Sequence, residues 1–123
     1  MLKDVSEIIN AISSIRISGM PDEYDIHRLV EDAFLKRGLS YTHEAPLGKG
    51  RRVDFLVGKT AVEIKKGAPA SSAVQKQITG YLESDSVEEI IVVTRKRLRL
   101  PAKIGGKQVF ILILDRLWGV SLP

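Results

Sequence analysis

A chain of 123 residues, 44% of them apolar, has the length of one domain, and its mean hydropathy of +0.01 excludes a disordered tail. No apolar run approaches the ~20 residues of a membrane-spanning helix, and the absence of cysteine excludes disulfides and thiolate metal sites. A net charge of +4 with a pI near 9.5 leans towards a polyanionic partner.

From the N-terminus, Asp4, Glu7 and Asn10 interrupt the isoleucines of residues 1–16. The segment therefore lacks the apolar core of a signal peptide, and a cytoplasmic protein is expected. Val5, Ile8, Ile9, Ile12 and Ile15 recur at helical spacing and predict an amphipathic helix ending before Gly19. Such a stripe serves either the protein's own core or a homodimer surface, the first being the commoner use. Met20-Pro21-Asp22 reads as the start of a second helix. Ile26, Leu29, Val30, Ala33, Phe34 and Arg37 share one of its sides, and Gly38 caps its end.

From Tyr41 to Lys65 the period changes to two. Strands are expected over Ser40–Leu47, Arg52–Val57 and Thr60–Lys65, with Gly48-Lys49-Gly50 as the first turn. Gly58-Lys59 is a hairpin loop of the type II′ kind. Ser71 or Ser72 can cap a third helix running to about Glu83. Glu89–Thr94 and Gln108–Leu114 are apolar, β-branched runs that suit strands covered on both faces. The third helix would be the crossover that parallel pairing requires. The expectation is a single α/β domain, 1–123, with a mixed central sheet flanked by helices.

The hairpin loop sets a register. Val57 would face Thr60, Leu56 would face Ala61, and Phe55 would face Val62, so Asp54 stands opposite Glu63 and Arg52 opposite Lys65. Alternation puts Val53, Phe55, Val57, Val62 and Ile64 on a core face. Arg52, Asp54, Leu56, Ala61, Glu63 and Lys65 take the other, non-core face. Opposed carboxylates repel each other. Either solvent with Arg52 and Lys65 screens them, or a cation binds between them. Magnesium commonly takes one or two carboxylates and keeps several waters. Two acids with a lysine beside them suit phosphodiester cleavage.

Asp54 followed by Glu63-Ile64-Lys65 resembles the signature of the PD-(D/E)XK nuclease superfamily. Gln77-Ile78-Thr79-Gly80-Tyr81 resembles the Gln-x-x-x-Tyr motif of RecB-like nucleases, and four-residue spacing puts Gln77 and Tyr81 on one helical face. Val53 stands where the signature proline would be, a position that varies in the family. The resemblance implies a restriction endonuclease-like fold of core order αβββαβ, here with an extra N-terminal helix and C-terminal strand.

It also implies a Mg2+-dependent deoxyribonuclease in which Mn2+ can substitute. Asp54 and Glu63 would be metal ligands, joined by the Ile64 carbonyl and by Glu31 on the preceding helix. His27, from a His27–Glu31 pattern like the first RecB-like motif, and Glu44 are rivals of Glu31. Lys65 would position or activate water, and Gln77 would orient substrate or a metal-bound water. Lys49, Arg51, Arg52, Lys66, Tyr81, Arg95 and Arg97 are the expected nucleic-acid contacts. DNA is the expected partner, with RNA left open. A small chain without a separate sequence-reading domain suits structure-selective or nonspecific cutting. A non-catalytic nucleic-acid binding module of the same fold is the alternative. In the blandest reading, the acids are ordinary surface charges.

Overall fold

The computed structural model describes residues 2–15, 23–67 and 69–114. Two helices open the chain, α1 (Leu2–Ser13) and α2 (Glu23–Lys36), and three strands follow, β1 (Thr42–Gly48), β2 (Arg51–Val57) and β3 (Thr60–Lys65). After α3 (Ser71–Leu82) come β4 (Glu89–Thr94), β5 (Lys103–Ile104) and β6 (Lys107–Ile113). The expected helix start at Met20-Pro21-Asp22 and the boundary at Gly19 lie outside the described residues.

The strands form one sheet in the order β1-β2-β3-β4-β6-β5. Pairing is antiparallel from β1 to β3, parallel from β3 through β4 to β6, and antiparallel again to β5. The switch to parallel pairing needs a crossover from β3 to β4, and α3 supplies it. No described helix is long and apolar enough to cross a membrane.

Helices cover both faces. Ile8 and Ile12 of α1 and Ile26, Val30 and Phe34 of α2 pack against Phe55, Val57, Val62, Ile64, Ile91 and Val93. The stripe of α1 is thus spent on the protein's own core. On the opposite face Val74, Ile78 and Leu82 of α3 pack against Val53, Ala61, Ile90, Val92 and Val109. Burial on both sides explains why β4 reads as an unbroken apolar run.

Several local expectations meet the structure directly. Gly58 has φ 60°, as the first position of a type II′ turn requires. Gly38 (φ 69°) ends α2 in a Schellman motif, with Leu39 N–H donating to Phe34 O at 2.9 Å and Gly38 N–H to Leu35 O at 3.1 Å.

Others need correction. Ser71 and Ser72 do not cap α3: Ala70 holds the cap position without a side-chain bond, and Ser71 Oγ accepts the Arg99 N–H at 2.9 Å instead. The second face of the β2–β3 hairpin is also core, because α3 covers it and leaves Ala61 fully buried. Val53 belongs to that α3-facing core, not to the face that carries Phe55 and Val57. Strand β5 was not expected; Gly105 and Gly106, both at positive φ, turn it into β6. Lys107, just past that turn, donates to Leu82 O (2.7 Å), Ser84 O (3.0 Å) and Val87 O (2.6 Å), tying the hairpin to the end of α3.

Candidate active site

The site grows out of a break in the β2–β3 ladder. Pairing runs Val57↔Thr60, Leu56↔Ala61 and Phe55↔Val62, then stops. At the next position side chains answer the backbone: Asp54 N–H donates to Glu63 Oε1 at 3.2 Å, and Ile64 N–H donates to Asp54 Oδ2 at 2.7 Å. Asp54 and Glu63 are brought together as expected, but by these side-chain bonds and not as a ladder pair, and the onward pairing of Arg52 with Lys65 is not formed either.

The irregularity extends into β1. His43 pairs with Phe55 and Ala45 with Val53, while Glu44 between them has φ 53°, a left-handed conformation that is uncommon outside glycine. Both strands turn over at this point. Ala45 and Val53 face α3, whereas the His43 ring stacks on Phe55 with centroids 4.7 Å apart.

Around the carboxylates α3 supplies a short polar chain. Lys65 Nζ lies 3.2 Å from Glu63 Oε2 and also donates to Gln77 Oε1. Gln77 Nε2 donates to the Tyr81 hydroxyl at 2.8 Å, and that hydroxyl lies 3.5 Å from Glu63 Oε2. The four-residue spacing of Gln77 and Tyr81 on one helical face makes this possible.

From the other side α2 brings in His27, 9% exposed, with Nε2 3.6 Å from Asp54 Oδ2. Its Nδ1 is 3.1 Å from His43 Nε2. Glu31, one turn further along α2, accepts the Tyr41 hydroxyl at 3.0 Å and lies 3.9 Å from His43 Nδ1. Of the three rivals, His27 is therefore the one that reaches Asp54. Glu44 points to the surface and pairs with Arg52 at 3.4 Å.

Electrostatics follow from this crowding. Glu63 is only 4% exposed, and burial above all, then the charge of Asp54, pushes its carboxyl up to about 7 against the lowering effect of Lys65. Burial first and the Glu63 charge next raise the Tyr81 hydroxyl above the ordinary tyrosine range. Tyr41 is raised by burial and by its bond to Glu31.

The carboxylate pair suits a hard divalent cation, because a positive ion between Asp54 and Glu63 would relieve the repulsion that raises Glu63. Among the described residues no three acidic or histidine side chains converge closely enough to enclose an ion alone. Two carboxylates completed by water are a usual magnesium environment. Zinc, which prefers a closed set of protein ligands, fits less well.

The basic residues divide by position. Lys65 and Thr94 are paired neighbours in β3 and β4, so Lys66 and Arg95 leave the same edge of the sheet as the site. Arg97 is exposed on the loop that follows, and Lys49 is exposed in the β1–β2 turn. Arg51 and Arg52 open β2 beside α3. Sequence reasoning missed His43 and Tyr41. The only available signal was composition: the chain has two histidines, and both stand at this site. Set against models of protein families, curated proteins and solved structures, the chain has no match in any of the three.

Proposed function

We propose that this chain is a metal-dependent nuclease of restriction endonuclease-like fold that hydrolyses DNA phosphodiesters. The observation that carries the reading is the meeting of Asp54, Glu63 and Lys65 where the β2–β3 ladder opens, with Gln77 and Tyr81 beside them. The element order α2, β1–β3, α3, β4 supports it, since it is the αβββαβ core the resemblance implies.

Asp54 and Glu63 would hold Mg2+ or Mn2+ with the Ile64 carbonyl and water, and His27, 3.6 Å from Asp54 Oδ2, would orient that carboxylate. His27 takes preference over Glu31 on proximity to Asp54. When bound, the ion polarises the scissile phosphoryl group as a Lewis acid. Lys65 does the remaining work. Its ammonium carries three donors, and Glu63 and Gln77 engage two of them. The third can hold the attacking water or stabilise negative charge developing on the phosphate. Gln77 keeps that ammonium in place, and Tyr81 keeps Gln77 in place. Lys66, Arg95 and Arg97 at the same sheet edge would bind the backbone, which gives affinity without sequence choice.

Incubation with labelled single-stranded, duplex, forked and four-way DNA tests the proposal. Cutting of at least one form with Mg2+ or Mn2+, and of none in EDTA, is the expected result. If no form is cut while DNA is still retarded on a gel, a binding module of the same fold becomes the better account.

A further inference from the structure

A second relationship, on α3, gives the proposed nuclease site a path for its substrate, and it rests on that reading. Arg51 lies flat on α3 at Gly80: a Cβ there would come 2.7 Å from Arg51 Nε and 3.0 Å from its Cζ. Glycine weakens a helix interior relative to alanine, and Gly80 is not among the positive-φ glycines. What it provides is room for the guanidinium. Glu83, at the end of the helix, holds Arg51 Nη1 at 3.2 Å.

Arg51 stands between two hollows beside α3. One, of about 550 Å3, is lined in part by Ser72, Gln75 and Thr79; the other, of about 670 Å3, by Arg52, Gln77 and Tyr81. Arg51 and Lys76 line both, so the two adjoin as halves of a groove divided at these side chains. Its inner end is Gln77 and Tyr81, which contact Lys65 and lie beside Glu63. The groove carries three cations, of which Arg51 pairs with Glu83 and Arg52 with Glu44 at its rim. Hydroxyl and amide groups at the outer end suit phosphate and sugar oxygens.

We infer that this groove carries the sugar–phosphate backbone of one nucleic-acid strand into the Glu63–Lys65 site, with Arg51 as a preset phosphate clamp. A guanidinium already laid against Gly80 and paired with Glu83 is near one position before a phosphate arrives, and such preorganisation favours affinity.

The test is fluorescence anisotropy of a short labelled single-stranded DNA in EDTA, where nothing is cut, over a series of salt concentrations. Arg51→Ala should weaken binding about threefold to tenfold and reduce the salt slope by about 0.7, the loss of one phosphate contact. Gly80→Ala keeps every cation but displaces the guanidinium, so it should weaken binding comparably. The double variant should bind no worse than Arg51→Ala alone, because Gly80 acts through Arg51. Should Arg51→Ala fail to fold, Lys76→Gln reads the same groove from an exposed helix position.

Wild-type affinity in Gly80→Ala, or an unchanged salt slope in Arg51→Ala, overturns the inference. Binding through the groove without cleavage of any DNA removes the catalytic reading and leaves this one standing. Cleavage by a protein whose groove variants bind normally does the reverse.

Discussion

Asp54 and Glu63 face each other where the β2–β3 ladder ends, and the Asp54 N–H donates to Glu63 Oε1 at 3.2 Å. The Asp54 carboxylate in turn accepts the Ile64 N–H. Two acids thus do the work of a missing backbone pair, at the cost of placing like charges together in a buried setting. That cost is measurable.

With Glu63 raised from 4.5 to about 7, the metal-free protein should lose stability as pH rises. Below pH 4.5 the carboxyl is protonated in both folded and unfolded chains. Between 4.5 and 7 the unfolded chain releases the proton while the folded one keeps it, so the contribution falls across that window and is flat above it. The loss is on the order of 3 kcal/mol. Glu63→Gln, neutral throughout, should show a shallower decline and should melt higher than wild type at pH 8 without divalent metal. Melting curves from pH 5 to about 8 check this; parallel declines in the two proteins would count against a raised Glu63.

A divalent ion should reverse the same penalty. At pH 8, Mn2+ at about a hundred times its dissociation constant should add roughly 2.7 kcal/mol and raise the melting temperature by several degrees. Asp54→Ala and Glu63→Ala should abolish the shift. An equal shift in all three proteins would place the ion elsewhere.

His27 and Glu31 can be separated by the same titration. His27 approaches Asp54 at 3.6 Å, while Glu31 is occupied by Tyr41. His27→Ala should weaken Mn2+ binding about tenfold or more, the scale seen for groups that complete or orient a metal site. Glu31→Gln should change it less than about threefold by comparison. The opposite ranking would restore Glu31 as the ligand.

Lys107 joins the β5–β6 hairpin to three carbonyls, that of Leu82 at the end of α3 and those of Ser84 and Val87 beyond it. Lys107→Met keeps most of the packing but leaves Leu82 O, Ser84 O and Val87 O without the ammonium. A loss of about 2 kcal/mol is expected, from charge-assisted bonds and partly buried carbonyls. Thermal melts should fall by roughly 8 °C.

Much of this architecture is legible in the residues. Gly58 at the head of a two-residue loop sets the register, and that register carries Asp54 to Glu63. Gln77 and Tyr81 meet because a helix brings residues four apart to one face. Alternation fails at Val53. It assumes a regular strand, and the turnover at Glu44 and Asp54 leaves no trace in the pattern of apolar residues. The proximity of His27 to Asp54 depends on how α2 is rotated on the sheet, a matter of packing among Phe34, Phe55 and Tyr41 rather than of local sequence. Strand β5 leaves a partial signal, since Gly105-Gly106 is a hairpin dipeptide, but the two residues before it are too few for alternation to show.

The most direct test of the central claim is single-turnover cleavage, in Mg2+, of whichever DNA the wild type cuts fastest, by wild type, Glu63→Ala and Lys65→Ala. Each substitution should slow cutting by about 10²-fold or more, while binding of the same DNA in EDTA changes little. Cutting at the wild-type rate by either variant, with DNA still bound, would contradict a site built on these residues.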